Sequence, residues 1–336
     1  MVFVTVGDVG FTFSAIANLL ANEPQKVFRG MGYGAIYAFN AQNGQLIWMM
    51  YTKGELMPSP AVYGNELVFA TGNGTIEAVN PYDGEELWQD NLQGYIDSMS
   101  SLDYYILPNG IPVFIAGFTL LQQPYGVVVA VNGENGDILW ISTPTDWSIY
   151  DTSGGDGPVA VDQQSGIVVQ ENVANESNNY VYTIVTAYNA SNGEELWTTP
   201  IGYGYLPVAF KSAVPYIDNG IVYITSPSTA SVTALNITNG NVIWNTSLTP
   251  YVKPASPDTP GAPRGAPVIY NGYLWLTAGP YVLALNPSNG QIEDSYDIGG
   301  GFGITNPVIA GSTMFLANSF GWAIAIPLQD IVPSLQ

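Results

Sequence analysis

Short apolar runs, each closed off by Gly, Asn or Asp, recur along the whole chain. From residue 60 they read Pro60-Ala61-Val62-Tyr63, Leu67-Val68-Phe69-Ala70, Gly74-Thr75-Ile76-Glu77-Ala78-Val79-Asn80 and Glu86-Leu87-Trp88. Gly64-Asn65, Gly72-Asn73 and Tyr82-Asp83-Gly84 stand between them. Runs this short, rich in β-branched and aromatic residues and bounded by turn formers, predict strands. Four in succession make a meander, the unit of a propeller blade. The same layout recurs around Pro158–Val161, Val214–Ile217, Ala266–Ile269 and Asn306–Ile309.

The end of each unit is written almost identically. Asn40…Gly44…Trp48 is followed by Asn80…Gly84…Trp88, Asn132…Gly136…Trp140, Asn189…Gly193…Trp197 and Asn236…Gly240…Trp244. The last copy, Asn286…Gly290, has Asp294 where Trp would stand. A period of about 50 residues in a strand-rich chain means a propeller or a related array. A tight hairpin needs positive φ near its tip, which Gly supplies, with Asn or Asp beside it. The Trp then opens the outer strand, where it can bury its ring against the next blade. Asp294 predicts a weaker interface at that blade.

After the sixth phrase, Pro307–Ala310, Thr313–Ala317 and Gly321–Ile326 supply three strands and no fourth. At the other end Ser14–Asn18 matches Pro60–Gly64 and Lys26–Arg29 matches Leu67–Ala70, leaving Val2–Val6 over. The expectation is an all-β, seven-bladed β-propeller of four-stranded antiparallel blades, one domain over residues 1–336. Val2–Val6 is expected to complete the last blade, closing the ring and removing open sheet edges. Asn172–Asn179 reads as a long hairpin tip and the Pro-rich stretch Pro250–Pro267 as an irregular surface loop.

Composition narrows the function classes. Charged residues make up 10% of the chain, against roughly 25% in ordinary soluble domains. Net charge is −21, and Lys26, Arg29, Lys53, Lys211, Lys253 and Arg264 are the only basic side chains. So few cations argue against nucleic-acid binding and against an anionic membrane surface. With no His and so few Lys and Arg, the chain gains little positive charge in strong acid, where most proteins repel themselves apart. That suits an acidic exterior, such as that of an acidophile or thermophile. Zero Cys excludes disulfides and thiol chemistry. No apolar run is long enough to span a membrane as a helix. The N-terminus lacks a signal-peptide layout, so a secreted protein would begin this numbering after cleavage. N-x-S/T sequons at Asn73, Asn175, Asn189, Asn236 and Asn245 hint at secretion and glycosylation.

The repeated phrase resembles the PQQ-like β-propeller repeat of the quinoprotein alcohol dehydrogenase-like family, with its A-x-D-x-x-T-G-x-x-x-W tryptophan-docking motif. Here it stands as Ala78-Val79-Asn80-Pro81-Tyr82-Asp83-Gly84-Glu85-Glu86-Leu87-Trp88 and its siblings. The resemblance covers nearly the whole chain and implies fold far more than function. The family includes quinoprotein dehydrogenases, the bacterial outer-membrane assembly lipoprotein and tetrathionate hydrolases. One departure is steady: Asn takes the place of the usual Asp, and Asn does not titrate.

Against this family, the chemistry can be sorted. PQQ in the dehydrogenases is implied to need Arg or Lys, calcium and often adjacent Cys; this chain lacks Cys and is poor in cations, so neither PQQ nor another cofactor is expected. Nucleophilic catalysis with a His base is excluded, and zinc lacks its usual ligands. Asp151–Gly157 has the alternating oxygens of a calcium loop without the closing Glu, and reads as a turn, with no metal expected. Lys211 and Arg264 share the repeat position of Met57, three residues before an innermost strand, on adjacent blades. Asp156 and Asp97 fall nearby, among Tyr95, Trp147, Tyr150, Tyr203 and Tyr205. These are the ligand-binding pair and the catalytic candidates for a sulfur-oxyanion pocket; the alternative is cations paired with carboxylates at a solvated rim. The leading expectation is an extracellular or cell-surface binding or structural module, without catalysis. It would contact protein or glycan, or assemble with itself through Pro250–Pro267 or Asn172–Asn179. Its rival is an acid-exterior sulfur-compound hydrolase of the tetrathionate hydrolase kind, ahead of a PQQ-dependent dehydrogenase.

Overall fold

The computed structural model describes residues 1–7, 33–56, 59–92, 95–96, 101–120, 126–149, 157–206, 212–259, 262–301, 305–317 and 322–335. The strands form the seven sheets of a β-propeller. Sheet one holds β1 (Val2–Gly7), β2 (Gly34–Phe39) and β3 (Leu46–Thr52). Sheet two runs β4 (Ala61–Tyr63), β5 (Glu66–Ala70), β6 (Thr75–Val79), β7 (Glu86–Asn91). In sheet three the long β10 (Pro112–Leu120) pairs with β8 (Tyr95–Ile96) at one end and β9 (Asp103–Ile106) at the other, followed by β11 (Gly126–Asn132) and β12 (Ile138–Ser142). Sheet four contains β13 (Val159–Asp162), β14 (Ile167–Ser177), β15 (Tyr180–Asn189) and β16 (Glu195–Tyr205). Sheet five contains β17 (Tyr216–Asp218), β18 (Ile221–Ser226), β19 (Ser231–Asn236) and β20 (Val242–Ser247). Sheet six contains β21 (Val268–Tyr270), β22 (Tyr273–Ala278), β23 (Tyr281–Leu285) and β24 (Ile292–Asp297). Sheet seven has β25 (Val308–Ala310), β26 (Thr313–Ala317) and β27 (Ala323–Pro327). The chain divides into two compact units, Met1–Asn172 with Tyr188–Leu196, and Val173–Ala187 with Trp197–Gln336.

The repeated phrase is a docking device. The Asn side chain accepts the N–H two residues on, as in Asn80 Oδ1 from Tyr82 N at 2.9 Å and Asn236 Oδ1 from Thr238 N at 2.9 Å. This Asx turn delivers Gly at positive φ, +77° at Gly84 and +80° at Gly136. The next Trp pairs opposite the phrase's fully buried Ala, Ala78 with Trp88 and Ala234 with Trp244. One residue beyond that pair the register shifts, a bulge that twists the outer strand. Each indole then donates to the carbonyl just after the following repeat's Asn: Trp48 to Pro81 at 2.9 Å, Trp88 to Gly133 at 2.6 Å, Trp140 to Ala190 at 3.1 Å, Trp197 to Ile237 at 2.8 Å and Trp244 to Pro287 at 2.9 Å. The Gly is required because the ring lies over it: a Cβ on Gly136 would stand 2.7 Å from Trp88 Cε3. Apolar strand residues fill the rest of these seams, with Val68, Ile76, Phe114 and Val129 in one cluster and Leu274, Leu276, Leu283 and Trp244 in another.

At Asp294 the seam is closed differently. After β27 the chain turns into a short helix, α1 (Leu328–Ile331), where the other repeats have their Asn turn. Leu328 N bonds to Ser312 O at 2.8 Å, just as Ile237 N bonds to Gly220 O and Ala190 N to Gly166 O. Leu328, Ile331 and Val332 are buried beside Trp275, Tyr270, Tyr273 and Ile298. Helix side chains thus supply the apolar surface that an outer-strand Trp would have brought.

Two expectations need correction. Val2–Val6 does not complete the last blade: β1 pairs with β2 along its whole length, Val2 opposite Phe39 and Gly7 opposite Gly34. That register turns Phe3 inward against Trp48, with ring centroids 6.1 Å apart, and β1 takes the second-strand place in sheet one. The competing matches, Ser14–Asn18 and Lys26–Arg29, lie outside the described residues. The hairpin tip is also shorter than Asn172–Asn179, because β14 runs to Ser177 and only Asn178 and Asn179, both at positive φ, make the turn. Within Pro250–Pro267 the described residues form one isolated bridge, Ser256 to Thr259, and are otherwise irregular as expected.

Candidate functional site

Lys211, Asp156, Asp97, Tyr150 and the Asp151–Asp156 stretch lie outside the described residues, as does the Tyr95 side chain. Arg264 is described and buried, 7% exposed. Its carbonyl accepts Val214 N at 3.1 Å, and Asn306 Oδ1 ties the next turn through Ala266 N at 2.7 Å. Trp147 is half-buried in a small hollow with Thr143, Pro144 and Ile149. Tyr203 and Tyr205 meet Tyr180 and Tyr182, with centroids 4.7 Å apart for Tyr182–Tyr203 and 5.8 Å for Tyr180–Tyr203. Of the sequons, Asn175 is exposed at positive φ. Asn189 and Asn236 spend their side-chain oxygens on Asx turns, Asn73 accepts Thr75 N, and Asn245 donates to Thr233.

One polar cleft among the described residues is one that spacing did not single out. About 360 Å³ of space opens between the end of β3, the β5–β6 turn and the outer face of β6–β7, lined by Thr52, Lys53, Thr71, Asn73, Glu77, Glu86 and their neighbours. The walls are braced locally. Asn73 Oδ1 accepts Thr75 N at 3.2 Å, Asn91 Nδ2 donates to Thr75 Oγ1 at 3.0 Å, and Thr52 Oγ1 donates to Gly54 O at 2.6 Å. Glu77 sits in β6 opposite Gln89, 7% exposed. Burial pushes its carboxyl up to about 7, the nearby charge of Glu86 adds to that, and Lys53 pulls the other way. A carboxyl that keeps its proton through the whole acid range, beside an ammonium, pairs a proton donor with an anion anchor.

A sequence signal for this site existed. The residue before the phrase's Ala is Tyr37, Val129, Thr186, Thr233 or Leu283 in other repeats, and a carboxylate only at Glu77. Lys53 lies in the outer-to-inner strand connection of sheet one, the same kind of connection that holds Arg264 further along. Among the described residues no group of three or more Asp or Glu could hold a metal ion.

The fold is thus a propeller whose blades are joined by indole-to-carbonyl docking. A family model described as outer membrane protein assembly factor BamB matches residues 14–146 and 124–326. The chain belongs to the PQQ-like β-propeller family. It is 48% identical over 335 residues to the tetrathionate hydrolase of Acidianus ambivalens, covering 99% of this chain and 62% of that protein. It is 34% identical over 336 residues to the tetrathionate hydrolase of Acidithiobacillus ferrooxidans, covering 98% of this chain and 63% of that protein. The chain therefore spans less than two thirds of the length of either relative. A solved europium-containing methanol dehydrogenase superposes with a TM-score of 0.65 at 11% identity, over 89% of this chain and 74% of that one, which shows a shared fold. No helix among the described residues is long and apolar enough to cross a membrane.

Proposed function

We propose that this chain is the propeller part of an enzyme that hydrolyses tetrathionate or a closely related sulfur oxyanion at an acidic exterior. The observation that carries the reading is the 48% identity, across 99% of the chain, with a protein named as tetrathionate hydrolase. It favours catalysis over the non-catalytic module that composition alone suggested. The scarcity of basic residues and the neutral Asn in each of the six phrases support an acid setting.

The test is turnover. The purified chain, and the longer protein where the gene encodes one, are incubated with tetrathionate at about pH 3, where carboxyls carry their protons. Ion chromatography then follows tetrathionate loss. Loss well above the protein-free blank, abolished by heat inactivation, is expected; loss at the blank rate in both preparations removes the reading. Contact with a protein partner is a second reading, favoured by the clustered rings of Tyr180, Tyr182 and Tyr203, each more than a third exposed.

A further inference from the structure

The Glu77 cleft has the makings of a ligand site as well as of a proton store. Its lining presents the hydroxyls of Thr52, Thr71 and Thr75, the amides of Asn73, Gln89 and Asn91, and the Lys53 ammonium. Glu77, 7% exposed, is the buried carboxyl among them. The space, about 360 Å³, exceeds what a few waters of about 30 Å³ each fill.

We propose that this cleft binds a sulfate- or sulfonate-type oxyanion while Glu77 carries its proton, and releases it when Glu77 ionises. A protonated carboxyl offers an O–H donor to the anion; the ionised one has no proton to donate and places a like charge against it. The other titratable groups facing the cleft are Glu86 from β7, Lys53 from the connection after β3 and Tyr51 from β3. Glu86 is exposed at the rim and opposes an anion whenever it is ionised, while Lys53 attracts one. Neither is buried, so screening by water and salt weakens both. The proton on Glu77 is the switch inside the wall. The assignment deepens the hydrolase reading by saying where one sulfonate end is held, and rests on that reading only for the choice of sulfur anions.

Sulfate serves as the probe because its charge is constant between pH 5 and pH 8. Binding of sulfate and of tetrathionate to the full chain is measured by calorimetry in chloride buffers, without reference to turnover, so this test and the hydrolase test fail independently. Wild type is expected to bind sulfate about tenfold or more weaker at pH 8 than at pH 5, and Glu77→Gln to change by less than about twofold. Lys53→Met should lose about tenfold at pH 5 and Lys53→Arg should recover most of it. Tetrathionate binding tighter than sulfate assigns the site to a sulfonate end of substrate; equal binding assigns it to the free anion. Wild-type crystals soaked in selenate at pH 5 should show an anomalous peak in the cleft, whatever the variants do. Selenate only elsewhere, sulfate affinity equal at the two pH values, or wild-type pH dependence persisting in Glu77→Gln would each overturn the proposal.

Discussion

Replacing Glu77 by Gln should stabilise the protein at alkaline pH and leave it unchanged in acid. The ordinary glutamate value is 4.5 and burial with Glu86 nearby raises it to about 7 in the fold. At about 1.4 kcal/mol per pH unit that gap is worth at most about 3 kcal/mol, and water and salt reaching the open cleft screen it to about 1–2 kcal/mol. Below 4.5 the carboxyl is protonated in folded and unfolded chains alike, and it contributes no difference. Between 4.5 and about 7 the unfolded chain releases the proton while the fold retains it, so stability falls as pH rises. Above about 7 the whole penalty is present. Gln is close in shape and never ionises, so it removes the penalty wherever one exists. Urea unfolding of both proteins at pH 4 and pH 8, in buffers without sulfate or phosphate, should give matching stabilities at pH 4. At pH 8 the Gln variant should be ahead by about 1–2 kcal/mol. A difference that is the same at both pH values would show that Gln acts through packing and that Glu77 does not titrate as argued.

Two further predictions test the seams. Gly44 and Gly136 both adopt positive φ, +72° and +80°, but an added Cβ meets nothing within 4 Å at Gly44 and Trp88 Cε3 at 2.7 Å at Gly136. Gly44→Ala should therefore cost only the left-handed strain, about 1–2 kcal/mol, and Gly136→Ala about 1–3 kcal/mol more, read from paired urea titrations. Leu328, 1% exposed in the helix at the Asp294 seam, should cost about 2–5 kcal/mol as Leu328→Ala; a cost near zero would mean that the helix merely lies on the surface.

The repeat was legible because each of its positions answers one local demand. Asn closes the turn, Gly alone fits under a ring at positive φ, Ala leaves room opposite the indole, and Trp bridges to the next carbonyl. Such demands tie residue type to place. The position of Val2–Val6 was not legible, since an alternating β-branched strand can pair with either of two open edges and its own residues do not choose. The helix after β27 was missed for another reason: its Leu328, Ile331 and Val332 follow no motif, and only the burial of Tyr270, Tyr273 and Trp275 shows what they cover. Glu77 was hidden among many acidic residues. What separates it is a departure from the repeat, a carboxylate where siblings carry apolar or hydroxyl side chains, and aligning the repeats with one another is enough to expose it.

The docking bonds of the seams carry no titrating group. Every docking bond joins an indole N–H to a peptide carbonyl, and every first turn position is an Asn amide, so protonation reaches none of them. Asp83 is the lone carboxylate among the second turn positions, accepting Glu85 N at 3.0 Å where the other repeats use Asn. Burial meanwhile lifts the carboxyls of Glu77, Asp103 and Glu66, against the backbone hydrogen bonds that Val161 and Tyr104 give Asp103 and with added repulsion from Glu134 at Glu66. Each of these groups therefore makes the fold firmer as pH falls through its raised value, the reverse of the usual acid response. Carboxylates do bridge sheets three and four, where Asp103 accepts Val161 N at 2.7 Å and Glu195 accepts Thr145 N at 2.9 Å; of the three raised groups, Glu77 is the one that faces an open polar cleft beside a lysine. Protonation there changes what the cleft can hold without loosening the blades around it.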